Sequence, residues 1–433
     1  MDNNDFKLEI LRGGAVNPAR LRKRYRAADA EVERTVAKII ADVRETGDAA
    51  VRQYTELYDG VQPESITTPR AEIDEAAQRL AAENHELYET LLRAADNIRE
   101  YHKRQIRHGY VITGEREGVV TGQRVIPLDR VGLYIPGGTA AYPSTVLMNA
   151  IPAKLAGVRE LSLASPPQKD GKCDAVILAA AKIAGIDSVY RVGGAQAIAA
   201  FAYGTDNIPR VDKITGPGNI FVSTAKRQLY GIVDIEMIAG PSEIMIIADS
   251  GADPRFIAAD MLAQAEHDVM AAALLITVDE RIASAVNEEL AKQLAALPRR
   301  EIAMGSLMEN GRIAVVEALD SAIWLSNQIA PEHLELCVDD PFTLLGEIRH
   351  AGSVFLGNYA PEALGDYLAG PNHTLPTNGA ARFASPLSVD DFIKKSSFTY
   401  YTKGALKRDA GHAARFARSE LFEAHARSVE IRL

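Results

Sequence analysis

Cysteine is scarce. Cys173 and Cys337 are the only two in 433 residues, and with no CxxC pair neither a disulfide framework nor a thiolate metal site is expected. Such usage fits a reducing compartment, and the cytoplasm is the expected location. No apolar run reaches the roughly 18 residues that a membrane-spanning helix needs. The opening MDNNDFKLEILRGG has no basic segment followed by an apolar stretch, so no secretory signal is expected. Positive charge is also in deficit: 48 Lys+Arg stand against 58 Asp+Glu, a formal net charge of −10. That balance argues against a nucleic-acid surface, which needs basic groups for phosphate. The stretches RLRKRYR (20–26) and KRQIRH (103–108) lie in amphipathic helical contexts and read as solvated faces. The chain has neither a repeat of fixed period nor a low-complexity segment.

What is present is alternation. Residues 31–106 carry Ala, Glu, Arg and Leu at helical spacing, as in VERTVAKIIADVRET. Residues 110–128, rich in Val, Ile and turn glycines, predict a pair of strands. From 131 short apolar runs alternate four times with helix-like stretches, and a second such series starts at EIMIIAD. The fold class expected is α/β, with two Rossmann-like α/β domains on parallel-rich sheets and small helical N- and C-terminal appendages. The expected division is a helical arm over 1–29, a discontinuous α/β domain over 30–130 and 243–384, an inserted α/β domain over 131–242, and a helical tail over 385–433.

Several residue constellations carry chemistry. Asp253 and Pro254 read as the start of a helix on which Gln264 and His267, three apart, point the same way. An amide oxygen and an imidazole so placed either converge on a metal or form part of a satisfied half-buried face. Asp366, in the Gly- and Pro-rich GDYLAGPNHTLPT with His373, could complete an oxygen and nitrogen shell that suits Zn²⁺ and leaves room for substrate. Glu332 and His333 after Pro331 offer a base beside a proton carrier if a loop or helix start lets both face one substrate; otherwise they cap a surface helix. Glycine-rich turns follow the strands in IPGGTA (135–140), VGGAQA (192–197), TGPGN (215–219) and AGPSE (239–243). They either cradle an anionic ligand at helix N-termini or are tight βα turns, and none matches GxGxxG. Asn219 is a candidate N-cap. Cys337, in LELCV, reads as a buried structural thiol rather than a nucleophile, and His425 as an exposed helical residue.

In order along the chain, VGLYIPGG, VGGAQAIAAFAYGT, KITGPGN, AGPSE, QAEHD, APEHLEL, GDYLAGPNHTLPT and EAHARSVEIR closely resemble the histidinol dehydrogenase family, from about residue 30 to the C-terminus. The resemblance implies oxidation of L-histidinol through histidinal to L-histidine, in histidine biosynthesis, with two NAD⁺ reduced. It also implies a homodimer with one Zn²⁺ per subunit, held by Gln264, His267, Asp366 and, from the partner subunit, His425. Glu332 would activate water and His333 would shuttle protons. Ser242, His373 and Glu420, together with the zinc ligands and His333, match substrate-contacting positions; Tyr134, Gln196 and Asn219 match NAD-contacting ones. On this pattern the 131–242 domain binds NAD, the discontinuous domain carries most zinc and substrate residues, and the 385–433 tail serves dimerisation. The family has a Gly-Leu pair after the glutamate where this chain has Leu421 and Phe422. Other readings on the same scaffold are an NAD-dependent dehydrogenase of another small alcohol such as a sulfonated diol, a silent zinc-binding dimer, and a zinc hydrolase.

Overall fold

Two parallel sheets form the framework of the computed structural model, which describes residues 6–22, 30–137, 141–238 and 240–433. Residues 23–26 of the first basic stretch, 138–140 of the first glycine turn and 239 of the last lie outside the described residues. One sheet has six strands in the spatial order Ile10–Arg12, Arg312–Val315, Ala272–Thr277, Glu243–Ala248, His333–Cys337 and Ser353–Leu356. The other has five, in the order Ser188–Arg191, Glu160–Ser165, Arg130–Tyr134, Lys213–Thr215 and Asp234–Ile235. Every neighbouring pair in both is parallel. Strands such as EIMIIA and AALLIT are buried along their whole length, as a parallel sheet covered by helices requires. This is the α/β architecture that the alternation predicts, and no described helix is long and apolar enough to cross a membrane.

The helices of the first hundred residues go elsewhere than the expected division places them. Ala30–Thr46 and Asp48–Asp59 pack on Gly194–Tyr203, while Arg70–Glu83 and His85–His102 pack on Ala175–Ala184. They therefore share apolar cores with the five-stranded sheet. The cores of the six-stranded sheet contain none of them, and take Leu8, Leu11 and Leu21 instead. The segment expected as a helical arm thus supplies an edge strand, Ile10–Arg12, too short to show a period in sequence. A helical face records that it is buried, but not against which sheet.

The expected strand pair is present: Tyr110–Ile112 and Val119–Pro127 are antiparallel. A third strand, Ile393–Tyr401, joins it from the segment expected to be a helical tail. The helices Lys403–Ser419 and Glu423–Glu430 follow, packed on each other.

In the five-stranded sheet the chain order reverses between Arg130–Tyr134 and Lys213–Thr215, which leaves a crevice at their carboxyl ends. Gly216 sits there at φ 114°, and a Cβ on it would overlap the carbonyl oxygen of Tyr134. The crevice therefore depends on a residue without a side chain. Gly216→Ala is expected to cost about 3 kcal/mol of stability through combined strain and overlap. Denaturant unfolding measures this, and an unchanged midpoint would refute it.

Candidate active site

Open α/β sheets usually bind ligands at their carboxyl edge. In the six-stranded sheet the polar residues gather instead at the amino edge. Ser242 and Glu243 stand at the start of one central strand, and Glu332 and His333 at the start of its neighbour. The Glu243 N–H donates to Glu332 Oε2 at 2.9 Å, and His333 Nδ1 lies 3.2 Å from the Glu243 carbonyl oxygen. Pro331 does not begin a helix: His333 opens the strand, and Glu332 lies just before it. Because Glu332 is outside the ladder, strand alternation does not turn it away, and its Oε2 is 3.8 Å from His333 Nδ1. Both residues are buried, which removes the surface-cap alternative.

His333, Glu335 and Cys337 alternate along the strand with Leu334 and Leu336, which pack into a separate apolar core. The short helix Glu362–Tyr367 faces the polar side, with Glu362 and Asp366 one turn apart. Glu362 Oε1 is 3.6 Å from His333 Nδ1, and Asp366 Oδ1 is 4.0 Å from His333 Nε2. His373 Nδ1 donates to the Asp366 carbonyl at 3.0 Å. The helix Pro254–Ala265 starts as the sequence predicts, with the Asp253 side chain accepting the Arg255 N–H. It ends just after Gln264, leaving His267 two residues beyond it. Gln264 is fully buried, and neither its Oε1 nor its Nε2 has a partner. Ligand-type atoms of His267, Glu362 and Asp366 lie within 4.8 Å of one another.

Glu362 is the member that sequence reasoning passed over. The available signal was its i,i+4 spacing to Asp366 in PEALGDY.

Burial dominates the electrostatics. It holds the Glu332 and Glu362 carboxyls well above the usual carboxylate range and pushes Asp366 up to about 7. Neighbouring carboxylates raise Glu332 and Glu362 further. The same burial depresses His333 to about 3 and His373 to about 4. These imidazoles are neutral near pH 7, with a lone pair to offer. Crowded buried acids beside neutral imidazoles and an unpartnered amide form an oxygen and nitrogen set suited to a divalent cation. The Cys337 thiol is buried and its pKa is pushed up, so it remains protonated and unreactive.

The crevice of the five-stranded sheet opens into a cavity of about 1050 Å³, lined by Tyr134, Gln196 and Asn219 among others. Tyr134 Oη accepts the Gly194 N–H at 3.1 Å. Asn219 is the N-cap of Ile220–Leu229, accepting from Phe221 and Val222. Gln196 is buried, and neither amide atom has a partner. Two helix N-termini and an unpartnered amide at a topological switch point are what an extended polar cofactor uses.

Glu420 and His425 are not brought to this cluster within one chain. The one described contact of the His425 ring is with Phe422, at 5.1 Å between centroids. Leu421 takes φ 64°, the left-handed conformation that glycine adopts without cost. Its N–H bonds Arg418 O at 3.0 Å and the Phe422 N–H bonds Ala417 O at 2.9 Å, a complete Schellman turn. The chain keeps a glycine-type helix stop there without the glycine.

The family model described as histidinol dehydrogenase matches residues 22–433. A histidinol dehydrogenase of Geobacillus kaustophilus is 52% identical over 428 residues, 99% of each chain. One from Clostridium acetobutylicum is 48% identical, covering 98% of this chain and 99% of that one. The crystal structure of histidinol dehydrogenase from Elizabethkingia anophelis superposes with a TM-score of 0.92 at 37% identity, covering 98% of both chains. Together with the fold, these likenesses make the protein an oxidoreductase. The chain belongs to the histidinol dehydrogenase family.

Proposed function

We propose that the protein oxidises L-histidinol through L-histidinal to L-histidine, reducing two NAD⁺, with one zinc ion per subunit. The observation that carries this reading is Gln264, fully buried with both amide atoms unpartnered, three residues before His267, which converges with Glu362 and Asp366. An uncompensated buried amide costs about 1–3 kcal/mol, so its retention favours a missing partner. The donor set fits zinc: Gln264, His267 and Asp366 would hold it, with His425 of the partner subunit as the fourth protein ligand. When bound, zinc would hold and orient the imidazole and amino nitrogens of the substrate. NAD⁺, which we place in the cavity of Tyr134, Gln196 and Asn219, accepts a hydride in each oxidation.

The chain's own groups move the protons. His333 Nδ1–H donates to the Glu243 carbonyl, which fixes the tautomer and leaves the buried, unpartnered Nε2 as the acceptor. Nε2 takes the alcohol proton as the carbinol hydride leaves, giving the aldehyde. Glu332, held by the Glu243 N–H through Oε2, takes a proton from the water that adds to the aldehyde. Its raised pKa makes it a stronger base than an exposed carboxylate. The hydrate anion so formed loses the second hydride to a fresh NAD⁺, and the acid that results gives its remaining proton to solvent and leaves as the carboxylate. Ser242, His373 and, from the tail, Glu420 are assigned to substrate contact.

A homodimer fits the tail, which exposes Phe416, Leu421, Phe422 and Ile431 on and around the two helices, the second of which carries His425.

The zinc-loaded protein is expected to form close to two NADH per L-histidinol consumed, followed by absorbance, and to lose turnover on chelation. One NADH per alcohol would mean that oxidation stops at the aldehyde, and no turnover would redirect the assignment to other small alcohols. Glu332→Gln is expected to slow histidinal oxidation about 100-fold or more while sparing histidinol oxidation to the aldehyde. Equal losses in the two half-reactions, each assayed separately, would refute the role. Inactive His425→Ala and Gln264→Ala subunits, mixed and reassociated, are expected to regain activity. Verified heterodimers that stay inactive would show that no ligand crosses the interface.

A further inference from the structure

The Gly216 turn of the cofactor crevice is held by a buried ion pair that takes no part in the proton transfers above. Lys226 lies on the helix Ile220–Leu229 and Glu236 just after the strand Asp234–Ile235, with side chains 5% and 3% exposed. Lys226 leans back toward the start of its helix, as helical side chains do, and its Nζ donates to both Glu236 carboxylate oxygens, at 2.7 and 2.9 Å. Both residues also reach Gly216. Lys226 Nζ donates to the Gly216 carbonyl oxygen at 2.5 Å, and Glu236 Oε1 accepts the Gly216 N–H at 2.8 Å. The peptide groups on either side of this glycine are thereby fixed, at the residue type with the greatest conformational freedom. Three residues further on, Asn219 caps the helix that carries Lys226 and lines the cavity. Glu236 in turn begins the connection, residues 236–242, that leads to the strand Glu243–Ala248.

A buried pair of this kind is weak evidence for a stability role, because apolar residues of similar volume often replace one without loss. What apolar residues cannot supply is an acceptor for the Gly216 N–H and a donor for its carbonyl. We infer that Lys226 and Glu236 are positioning residues for the dinucleotide, which clamp the Gly216 turn by both its backbone groups and so set where Asn219 and the helix N-terminus meet the cofactor. This rests on the placing of NAD⁺ in that cavity. Gly216 is buried, so without the clamp its N–H and carbonyl must turn to other partners, and the turn moves with them. A misplacement of about 1 Å by a residue far from the reacting atoms can cost on the order of 100-fold in rate.

The test is NADH binding to the zinc-loaded protein by isothermal titration calorimetry, with circular dichroism to show that each variant is folded and chelator competition to measure its zinc affinity. Two variants remove the clamp: Lys226→Met, and Lys226→Met combined with Glu236→Leu, which leaves no unpaired charge. Both are expected to weaken NADH binding about 10- to 100-fold, the scale of a lost charged hydrogen bond. Both are expected to hold zinc within about threefold of the parent, because the metal site shares no partner with the clamp. Glu236→Gln keeps an oxygen for the Gly216 N–H and leaves Lys226 its bond to the Gly216 carbonyl, and is expected to bind NADH within about threefold of the parent. Folded clamp variants that bind NADH like the parent, or that lose zinc in proportion, would overturn the positioning role, as would a Gln variant that falls with them. If neither clamp variant folds, the pair is a requirement of folding, and the positioning role is likewise overturned. A parent that binds no NADH, or whose binding survives Gln196→Leu unchanged, would instead overturn the placing of the cofactor.

Discussion

Desolvation of acids is the constraint on which the site depends. Glu332, Glu335 and Glu362 are buried together along one side of a single strand, with Asp366 near its first residue, His333. Charged carboxylates in such a layer repel one another and have lost their water, so they must share protons, accept backbone N–H groups, or meet a cation. Glu332 and Glu335 take backbone N–H groups, and ligand-type atoms of Asp366, Glu362 and His267 lie within 4.8 Å of one another, close enough that they could hold a cation.

The same burial tunes the imidazoles. A histidine exposed to water would be partly protonated near neutrality, whereas His333 and His373 are held neutral by loss of water. The backbone of Glu243 serves both proposed acid–base groups at once, its N–H holding Glu332 and its carbonyl orienting His333. Parallel pairing of the Glu243 and His333 strands fixes that relation, so the spacing of the two groups is a property of the ladder rather than of a flexible loop.

The two sheets divide the work by their edges. In the five-stranded sheet the large cavity lies at the carboxyl edge, where chain order reverses and helices start. In the six-stranded sheet the polar residues occupy the amino edge, because the helices Pro254–Ala265 and Glu362–Tyr367 run back from the strands and deliver their last residues there. Ligand atoms near the end of a returning helix can meet residues at the start of a strand only on that side.

Much of this was legible beforehand. Period-2 and period-3.6 patterning is local, so it yielded the strand and helix alternation, the pair of strands over 110–128, and the helix start at Asp253 and Pro254. Ordered motifs yielded the family, because such a series is specific even when each member is weak. Other features depend on partners far apart in the chain. The helices of residues 30–102 look the same in sequence whichever sheet they cover, and the strand Ile10–Arg12 is too short to signal itself. Glu332 and His333 require a loop or a helix start to face one way; it is the loop that is present, because Glu332 lies just outside the ladder and escapes its alternation, while Pro331 starts no helix. Glu362 reads as an ordinary helical acid until packing seals it against His333. The sequence alone determined which segments are helix or strand and which side chains are chemically able. Only tertiary packing decided which of those side chains meet and how far their charge is stripped of water, because both follow from distances between elements that no local pattern encodes.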